Sequence, residues 1–578
     1  MQIQQSIEAL REQSGIPKEI GPFVFNNLAQ VLSDTAARLP KNLAFTSLGR
    51  SISYAELDAL SDAFGKYLQQ HTTLESGDRI AIQLPNLIQY PVVFYGALKA
   101  GLVVVNTNPL YTKRELTHQF NDSGAKALVV LANVAHTVED VIPKTLIKHV
   151  IVSELADLHG FFSRKITNFG ARYIKKMVPP YSIPGAVSLR YCLDQGKSGQ
   201  LQNTNASLDD LALLQYSGGT TGLAKGAMLS HRNILANVAQ ERALFAGFES
   251  LADSGVFDSK GNVNSGADGS ASNHTVVLPL PLYHVYACTL CALMVDLGQH
   301  CLLIANPRDL GSMVKDMSRW PVTVFCGLNT LFVALCGRDD FKALDFSALK
   351  ITISGGMALT SDAANRWKEI TGVNIYEGYG LTETSPVVSI NVGSPNDSGR
   401  KLGSIGVSAP STELKVIDSE GNSLPCGEPG ELCVRGPQVM QGYWQLPEKT
   451  AEVLSEDGWL ATGDIALIGE DGFPHIVDRL KDMIIVSGFN VFPNEVEEVV
   501  SSHEHVIECA VVGVPDERVG ERVKVFIVAS SPDLTSADII AFCRTELTAY
   551  KVPHLVSFMD DLPKSNVGKI LRRELRDK

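Results

Sequence analysis

Leu213-Leu-Gln-Tyr-Ser-Gly-Gly-Thr-Thr-Gly-Leu-Ala-Lys-Gly-Ala-Met228 is the stretch that decides the fold. Its apolar opening reads as a strand. The strand runs into Ser217, Gly218, Gly219, Thr220, Thr221 and Gly222, with Lys225 and Gly226 beyond. Three glycines let a backbone turn its N–H groups toward one point. The hydroxyls add donors and the lysine adds a full positive charge, so the loop suits a polyphosphate. It is not a Walker A loop, which needs a glycine, four residues and then Gly-Lys-Ser/Thr. The chain's one Gly-Lys-Ser, at 196–198, has Tyr191 where the first glycine should stand.

On the N-terminal side of the loop, Asp78–Leu84 reads as a buried strand, and Leu87–Ala100 has helical apolar spacing that stops at Gly101. Leu102–Asn106, Ala127–Leu131 and His149–Val152 are further strands. Strands alternating with helical segments predict an α/β protein with largely parallel sheets. Near the C-terminus, Val506–Val514, Val523–Ala529 and Val552–Phe558 read as strands and Ala537–Leu547 as a helix, a separate small α+β unit. The charged strip Asp478-Arg-Leu-Lys-Asp482 has the character of a linker. It sets the expected division at residues 1–478 and 479–578.

Two stretches break the rhythm. Residues 248–273, rich in Gly, Ser and Asn, are too polar to bury and are expected to form a mobile surface excursion. Residues 161–190 carry Arg164, Lys165, Arg172, Lys175, Lys176 and Arg190 without a single acid, interleaved with Phe161, Phe162, Phe169, Tyr173 and Ile174. Two readings stand for this stretch. It is an interfacial segment for an anionic membrane, or it is a solvated basic face whose apolar side packs into the core.

The whole chain has 578 residues and a net charge of −13, which argues for several subdomains and against a nucleic-acid partner. Cys288 and Cys291 form a C-x-x-C without a second ligand pair, inside an apolar run. They are expected to be reduced cysteines in a buried helix rather than a zinc site. The N-terminus lacks a basic start followed by an apolar run, and no stretch approaches the ~20 apolar residues that span a bilayer. The expected location is the cytoplasm, either free or attached to the cytoplasmic face of the inner membrane without crossing it.

Further motifs follow the phosphate loop in order: Pro281-Leu-Tyr-His284, Ser354-Gly-Gly-Met357, Tyr379-Gly-Leu-Thr-Glu-Thr384, Gly430-Glu-Leu-Cys-Val-Arg-Gly436, Gly458-Trp-Leu-Ala-Thr-Gly-Asp464, Asp478-Arg-Leu-Lys481 and Pro563-Lys-Ser-Asn-Val-Gly-Lys569. Together with Tyr216–Gly226 they resemble, over nearly the whole chain, the adenylate-forming superfamily of acyl-CoA synthetases, peptide-synthetase adenylation domains and luciferases. Ala224 stands where most members have proline. The segment from Asp457 through Lys481 is similar to the long-chain fatty-acyl-CoA synthetase signature within that family.

The resemblance implies a fold and a reaction. The fold is a large N-terminal domain of parallel-type sheets with a small β-barrel-like part, followed by a mobile C-terminal domain. The reaction is ATP-dependent ligation of a long-chain fatty acid to coenzyme A through acyl-AMP, releasing AMP and pyrophosphate. A medium-chain or aryl carboxylic acid is the alternative substrate. The resemblance also implies roles. Ser217, Gly218, Gly219, Thr220, Thr221, Gly222 and Lys225 hold the phosphates, and Thr221 and Glu383 hold Mg²⁺. Gly356, Glu377 and Tyr379 line the adenine pocket, Thr382 also binds the nucleotide, Asp464 accepts the ribose hydroxyls, and Arg479 assists at the ribose or phosphates. Lys569 is the catalytic cation, His284 borders the acyl site and Lys481 is the hinge. Ser487, Gly488 and Phe489 form the face for coenzyme A. A homodimer is a further family-level expectation.

Overall fold

The computed structural model describes residues 2–217, 224–248, 274–393, 398–487, 489–516, 518–565 and 568–576. The phosphate-loop residues 218–223, the excursion over 249–273 and Gly488 lie outside them.

Two sheets form the body. In the first, seven strands run in the order Val187–Ser188, His149–Ser153, Ala127–Leu131, Arg79–Gln83, Val103–Asn106, Leu211–Ser217 and Lys225–Ser230. All neighbours are parallel except the last pair, an antiparallel hairpin with Ser217 opposite Lys225. In the second, nine strands include a parallel block formed by Leu43–Ser47, His300–Leu303, Thr275–Leu278, Val322–Gly327, Ile351–Gly355 and Ile375–Gly380. Antiparallel strands close both edges.

Parallel strands need apolar cover on both faces, and buried helices supply it. Gln89–Lys99 is buried at every position, and Val285–Asp296 at every position but Tyr286. These helices share one core with residues of both sheets. Cys288 and Cys291 are buried in the second helix, as expected. Gly196 owes its place to packing: a Cβ there would stand 1.8 Å from the Ala63 carbonyl oxygen.

The part expected to be barrel-like is an open antiparallel sheet of four strands, Glu413–Ile417, Gly430–Arg435, Leu460–Ile468 and Pro474–Arg479. After it, a separate sheet joins Phe489–Val491, Ile484–Val486, Gly520–Ala529 and Val506–Asp516, with Leu555–Phe558 parallel to Gly520–Ala529. Helices Pro493–Ser501 and Ser536–Glu546 cover it around a core of its own.

Two expectations need correction. Phe248 is not the start of a surface excursion. It is buried, with its ring edge-on to Tyr376 at 4.8 Å between centres, and the expectation failed because an apolar residue was grouped with the polar run behind it. The basic stretch does not bury its apolar side either. Helix Phe161–Phe169 continues into a wider turn, Gly170–Ile174, and Asn168 and Arg172 anchor the segment by donating to the Glu154 carboxylate at 2.9 and 2.8 Å. That anchoring turns Phe162, Ile166, Phe169 and Tyr173 outward, at exposures of 78, 73, 57 and 63%.

Candidate active site

The sheets, the four-stranded sheet and the C-terminal unit face a common cleft of about 2260 Å³. Among the described residues, Ser217, Lys225, His284, Gly356, Glu377, Tyr379, Thr382, Glu383, Asp464, Arg479, Lys481 and Lys569 all line it. The sequence-predicted residues thus converge, although more than 350 positions separate the first from the last.

The hairpin end forms one side of the cleft. Lys225, opposite Ser217, holds its ammonium over the Tyr443 ring, 4.0 Å from the centre. Tyr443 donates its hydroxyl to Glu383 Oε1 at 2.8 Å. The Met440 amide fixes the Glu383 backbone by donating to its carbonyl at 2.8 Å. Tyr443 therefore stands between the loop lysine and the carboxylate, and motif reading missed it. The pair is 60 residues apart in sequence, and no local pattern marks it. Gly218, Gly219, Thr220, Thr221 and Gly222 lie outside the described residues.

On the nucleoside side, Asp464 and Arg479 face each other across neighbouring antiparallel strands. Arg479 Nε lies 3.1 Å from Asp464 Oδ1, and the Tyr379 hydroxyl donates to Oδ2 at 2.6 Å. With only 2% exposure, Asp464 is a buried carboxylate held by a cation and a hydroxyl. Glu377 accepts the Gly403 N–H at 2.9 Å, and burial pushes its carboxyl up to about 7. Gly356 adopts φ +83°, and no protein atom lies within 4 Å of a Cβ built there. Its turn needs glycine, and the space beside it is open.

Lys569 enters from the last residues of the chain. The Thr330 hydroxyl donates to the carbonyl of neighbouring Gly568 at 3.1 Å, tying this segment to the large domain. Burial lowers the Lys569 ammonium to about 7, and the charges of Arg479 and Lys481 push the same way, while Asp464 pulls it up. Among the described residues its ammonium has no hydrogen bond or ion pair, so its charge is available to an anion. His284 caps the helix Val285–Asp296 and accepts the Tyr286 N–H at Nδ1. Burial, then the charge of Lys569, takes it down to about 4, which keeps the ring neutral. Burial and Arg479 also lower Lys481.

Ser487 and Phe489 do not join this gathering. Both are exposed, and Phe489 stacks on Tyr550 with 5.0 Å between ring centres. Arg572 is a second residue that motif reading missed. It links Glu497 at 2.7 Å, Asn494 at 2.6 Å and Asp478 at 3.4 Å, tying the chain's end to the linker strip.

A cleft that gathers Ser217 and Lys225 from the ends of the glycine-rich loop, a buried acid–arginine pair and a late lysine has the donor set for an anionic, hydroxyl-bearing substrate such as a nucleotide. The chain belongs to the AMP-binding enzyme family: residues 32–444 match the model for the AMP-binding enzyme, and 495–569 match its C-terminal domain. Among individual proteins, it is 48% identical to a long-chain-fatty-acid–CoA ligase of Escherichia coli O6:H1, over 98% of this chain and 97% of that one. It is 36% identical to a long-chain-fatty-acid–CoA ligase of Bacillus subtilis, over 97 and 96%. Its fold matches the ATP-bound structure of MatB from Rhodopseudomonas palustris with a TM-score of 0.75 at 27% identity, covering 96% of this chain and 99% of that one.

Proposed function

We propose that the chain ligates a long-chain fatty acid to coenzyme A in two steps, adenylation by ATP and then thiol transfer. The observation that carries this reading is the placement of Lys569, unpaired among the described residues, in one cleft with Glu383 and the Asp464–Arg479 pair. The same cleft has apolar wall residues, Val285, Ile353, Val387 and Ile390. The long-chain-fatty-acid–CoA ligases among the relatives support the substrate class.

A carboxylate must approach an α-phosphate that is itself anionic, so the barrier is mainly one of charge and positioning. In this reading the carboxylate oxygen attacks the α-phosphorus, the bond to the bridging oxygen breaks, and pyrophosphate leaves. Residues Ser217–Lys225 cradle the outer phosphates. Asp464 accepts the ribose hydroxyls, and Arg479 assists at the ribose and phosphates. Gly356, Glu377, Tyr379 and Thr382 enclose the base. Lys569 stabilises charge on the carboxylate and α-phosphate oxygens, and His284 borders the acyl group.

Mg²⁺ fits this site. Tyr443 occupies Glu383 Oε1 and leaves Oε2 as an acceptor, while Thr221 would supply a hydroxyl. Among the described residues no cluster of three or more His, Cys, Asp or Glu is placed to hold a metal. A hard cation bound through one carboxylate and substrate phosphates needs none. Bound there, Mg²⁺ supplies charge neutralisation at the phosphate oxygens.

For the second step, the Ser487, Gly488 and Phe489 face must reach the acyl-adenylate. The outward position of Ser487 and Phe489 supports a rotation of residues 479–578 about Lys481. Assaying a panel of carboxylic acids for AMP release, with and without coenzyme A, tests the whole reading. Long-chain fatty acids should give coenzyme A-dependent turnover. Turnover confined to medium-chain or aryl acids would replace the substrate class, and none with any acid would end the proposal.

The pH profile offers another check. Lys569 is cationic below about 7 and neutral above it in the free enzyme. The kcat/KM for adenylation is expected to fall about tenfold per pH unit on the alkaline side of that value, because kcat/KM reports the free enzyme. Bound triphosphate favours the charged amine, so the limb in kcat should lie at higher pH. Coincident limbs, or none in Lys569→Ala-sensitive activity, would contradict the assignment.

The same reading includes peripheral contact with the inner face of the membrane, through residues 161–190. No helix among the described residues is long and apolar enough to cross one. Support comes from the exposed Phe162, Ile166, Phe169 and Tyr173 stripe beside Arg164, Lys165, Lys175 and Lys176. Each basic residue near an anionic surface contributes about 1 kcal/mol. Reversing Lys175 and Lys176 to glutamate should therefore weaken co-sedimentation with phosphatidylserine vesicles by roughly tenfold or more, and unchanged binding would remove this part. The family resemblance also favours a homodimer in the cytoplasm, to be read by sedimentation.

A further inference from the structure

Residues 440–444 form a strap along the hairpin strand Lys225–Ser230. Backbone bonds hold it there. The Trp444 N–H donates to the Gly226 carbonyl at 2.8 Å, Met228 to Gly442 at 2.9 Å, and Gln441 to Met228 at 3.0 Å. The Met440 amide joins the same strap to the Glu383 backbone, and the Tyr443 N–H donates to Thr450 Oγ1 at 2.9 Å. None of these bonds uses the Tyr443 side chain, so the path of the strap does not depend on it. That side chain is 6% exposed and lines the cleft together with Lys225 and Glu383. It meets an opposite charge at each of two places: the Lys225 ammonium lies 4.0 Å from its ring centre, and its hydroxyl donates to Glu383 Oε1 at 2.8 Å. Among the described residues no ion pair joins Lys225 to Glu383, although both reach this one side chain.

Opposite charges brought this near attract strongly where water is scarce. A direct Lys225–Glu383 pair would cancel the cation that a triphosphate needs and take up the carboxylate that a metal needs. A tyrosine between them prevents the closure. Its ring face attracts an ammonium electrostatically and leaves it its full charge. Its hydroxyl takes one carboxylate oxygen and leaves the other as an acceptor. A phenylalanine would supply the first service and not the second, and an aliphatic residue would supply neither.

We infer that Tyr443 is a positioning residue for adenylation: its ring keeps Lys225 from closing on Glu383, and its hydroxyl fixes Glu383 so that Oε2 is presented to the metal that accompanies ATP. The inference rests on the proposed ligase reading and adds a residue to its machinery. The empty site then keeps a cation and a carboxylate oxygen ready for opposite ends of one metal–triphosphate, with neither spent on the other.

Equilibrium dialysis of radiolabelled ATP, with no acid present, separates the two services. Each protein is measured in EDTA and in Mg²⁺. Tyr443→Phe keeps the ring and removes the hydroxyl. Its Kd in EDTA should stay within about twofold of the native value, while the tightening that Mg²⁺ brings should shrink roughly 10-fold. Tyr443→Leu removes the ring as well, so its Kd in EDTA should rise about 10-fold. Adding Glu383→Gln to Tyr443→Leu takes away the partner of the collapsed pair and should restore binding in EDTA. The same substitution in the native background should change that binding far less, so the two positions couple. A tyrosine with a merely structural role would weaken binding equally with and without Mg²⁺, and its effect would add to that of Glu383→Gln. Either result, or an undiminished Mg²⁺ gain in Tyr443→Phe, would overturn the inference and leave the ligase reading standing. If Tyr443→Leu does not fold, Tyr443→Phe decides alone, because it keeps the ring and the strap. Absence of ATP binding by the native protein in both conditions would bring down the ligase reading and the inference with it.

Discussion

Replacing Lys569 with alanine is expected to slow acyl-adenylate formation about 10²–10³-fold, while thioester formation from supplied acyl-adenylate stays within a few-fold. The size follows from the job. One preorganised cation aimed at developing charge in a water-poor site commonly accounts for that much rate. Lys569 is such a cation: buried, without an ion pair among the described residues, with burial and the like charges of Arg479 and Lys481 disfavouring its charge and Asp464 favouring it. An anionic substrate relieves that repulsion, so the group favours the charged transition state over the empty site. The asymmetry between half-reactions follows from geometry. The Thr330 contact to Gly568 holds Lys569 in the cleft in this arrangement, while Ser487 and Phe489 point elsewhere. In the proposed rotation of the small domain, Lys569 leaves the cleft. Lys481→Pro should give the mirror pattern, slowing thiol transfer more than adenylation, because a fixed φ at the proposed hinge resists the rotation. Equal losses in both steps, measured separately by rapid quench, would contradict the division for either variant.

Asp464→Asn is expected to lower kcat/KM for ATP by about 10²-fold with a much smaller change in melting temperature. Hydrogen bonds to a charged group contribute about 1.5–3 kcal/mol each, and the side chain is proposed to accept both ribose hydroxyls. The amide also presents a donor where Asp464 offers only acceptors, either to Arg479 or to the Tyr379 hydroxyl. Most of the loss should fall on ATP and little on the fatty acid. A matching loss in KM for both substrates would show that the variant disturbs the cleft as a whole, against a specific ribose role.

Much of this was legible in the chain. Ala127–Leu131 reads as a strand because it is a short apolar run of strand length that follows Lys126, and the strand has those bounds. Helix Gln89–Lys99 is two residues later at its start than its apolar spacing suggests, since Leu87 is taken up in a turn whose amide donates to the Pro85 carbonyl. The residues that line the cleft were legible through their motifs. What joins them was not. Tyr443 under Lys225, Arg572 on Glu497 and Thr330 on Gly568 are contacts across 75 to 238 positions, fixed by packing of whole sheets rather than by neighbours in sequence. The basic stretch shows the same limit: spacing revealed an amphipathic segment, but Glu154, outside the segment, decides that its apolar stripe faces outward.

The most direct trial is a single turnover without coenzyme A, with purified protein, Mg²⁺, ATP and a radiolabelled long-chain fatty acid. The account predicts stoichiometric labelled acyl-adenylate together with pyrophosphate, and its quantitative conversion to thioester when coenzyme A is added. Pyrophosphate-free hydrolysis of ATP, or complete absence of an acyl-adenylate with every acid tried, would contradict it.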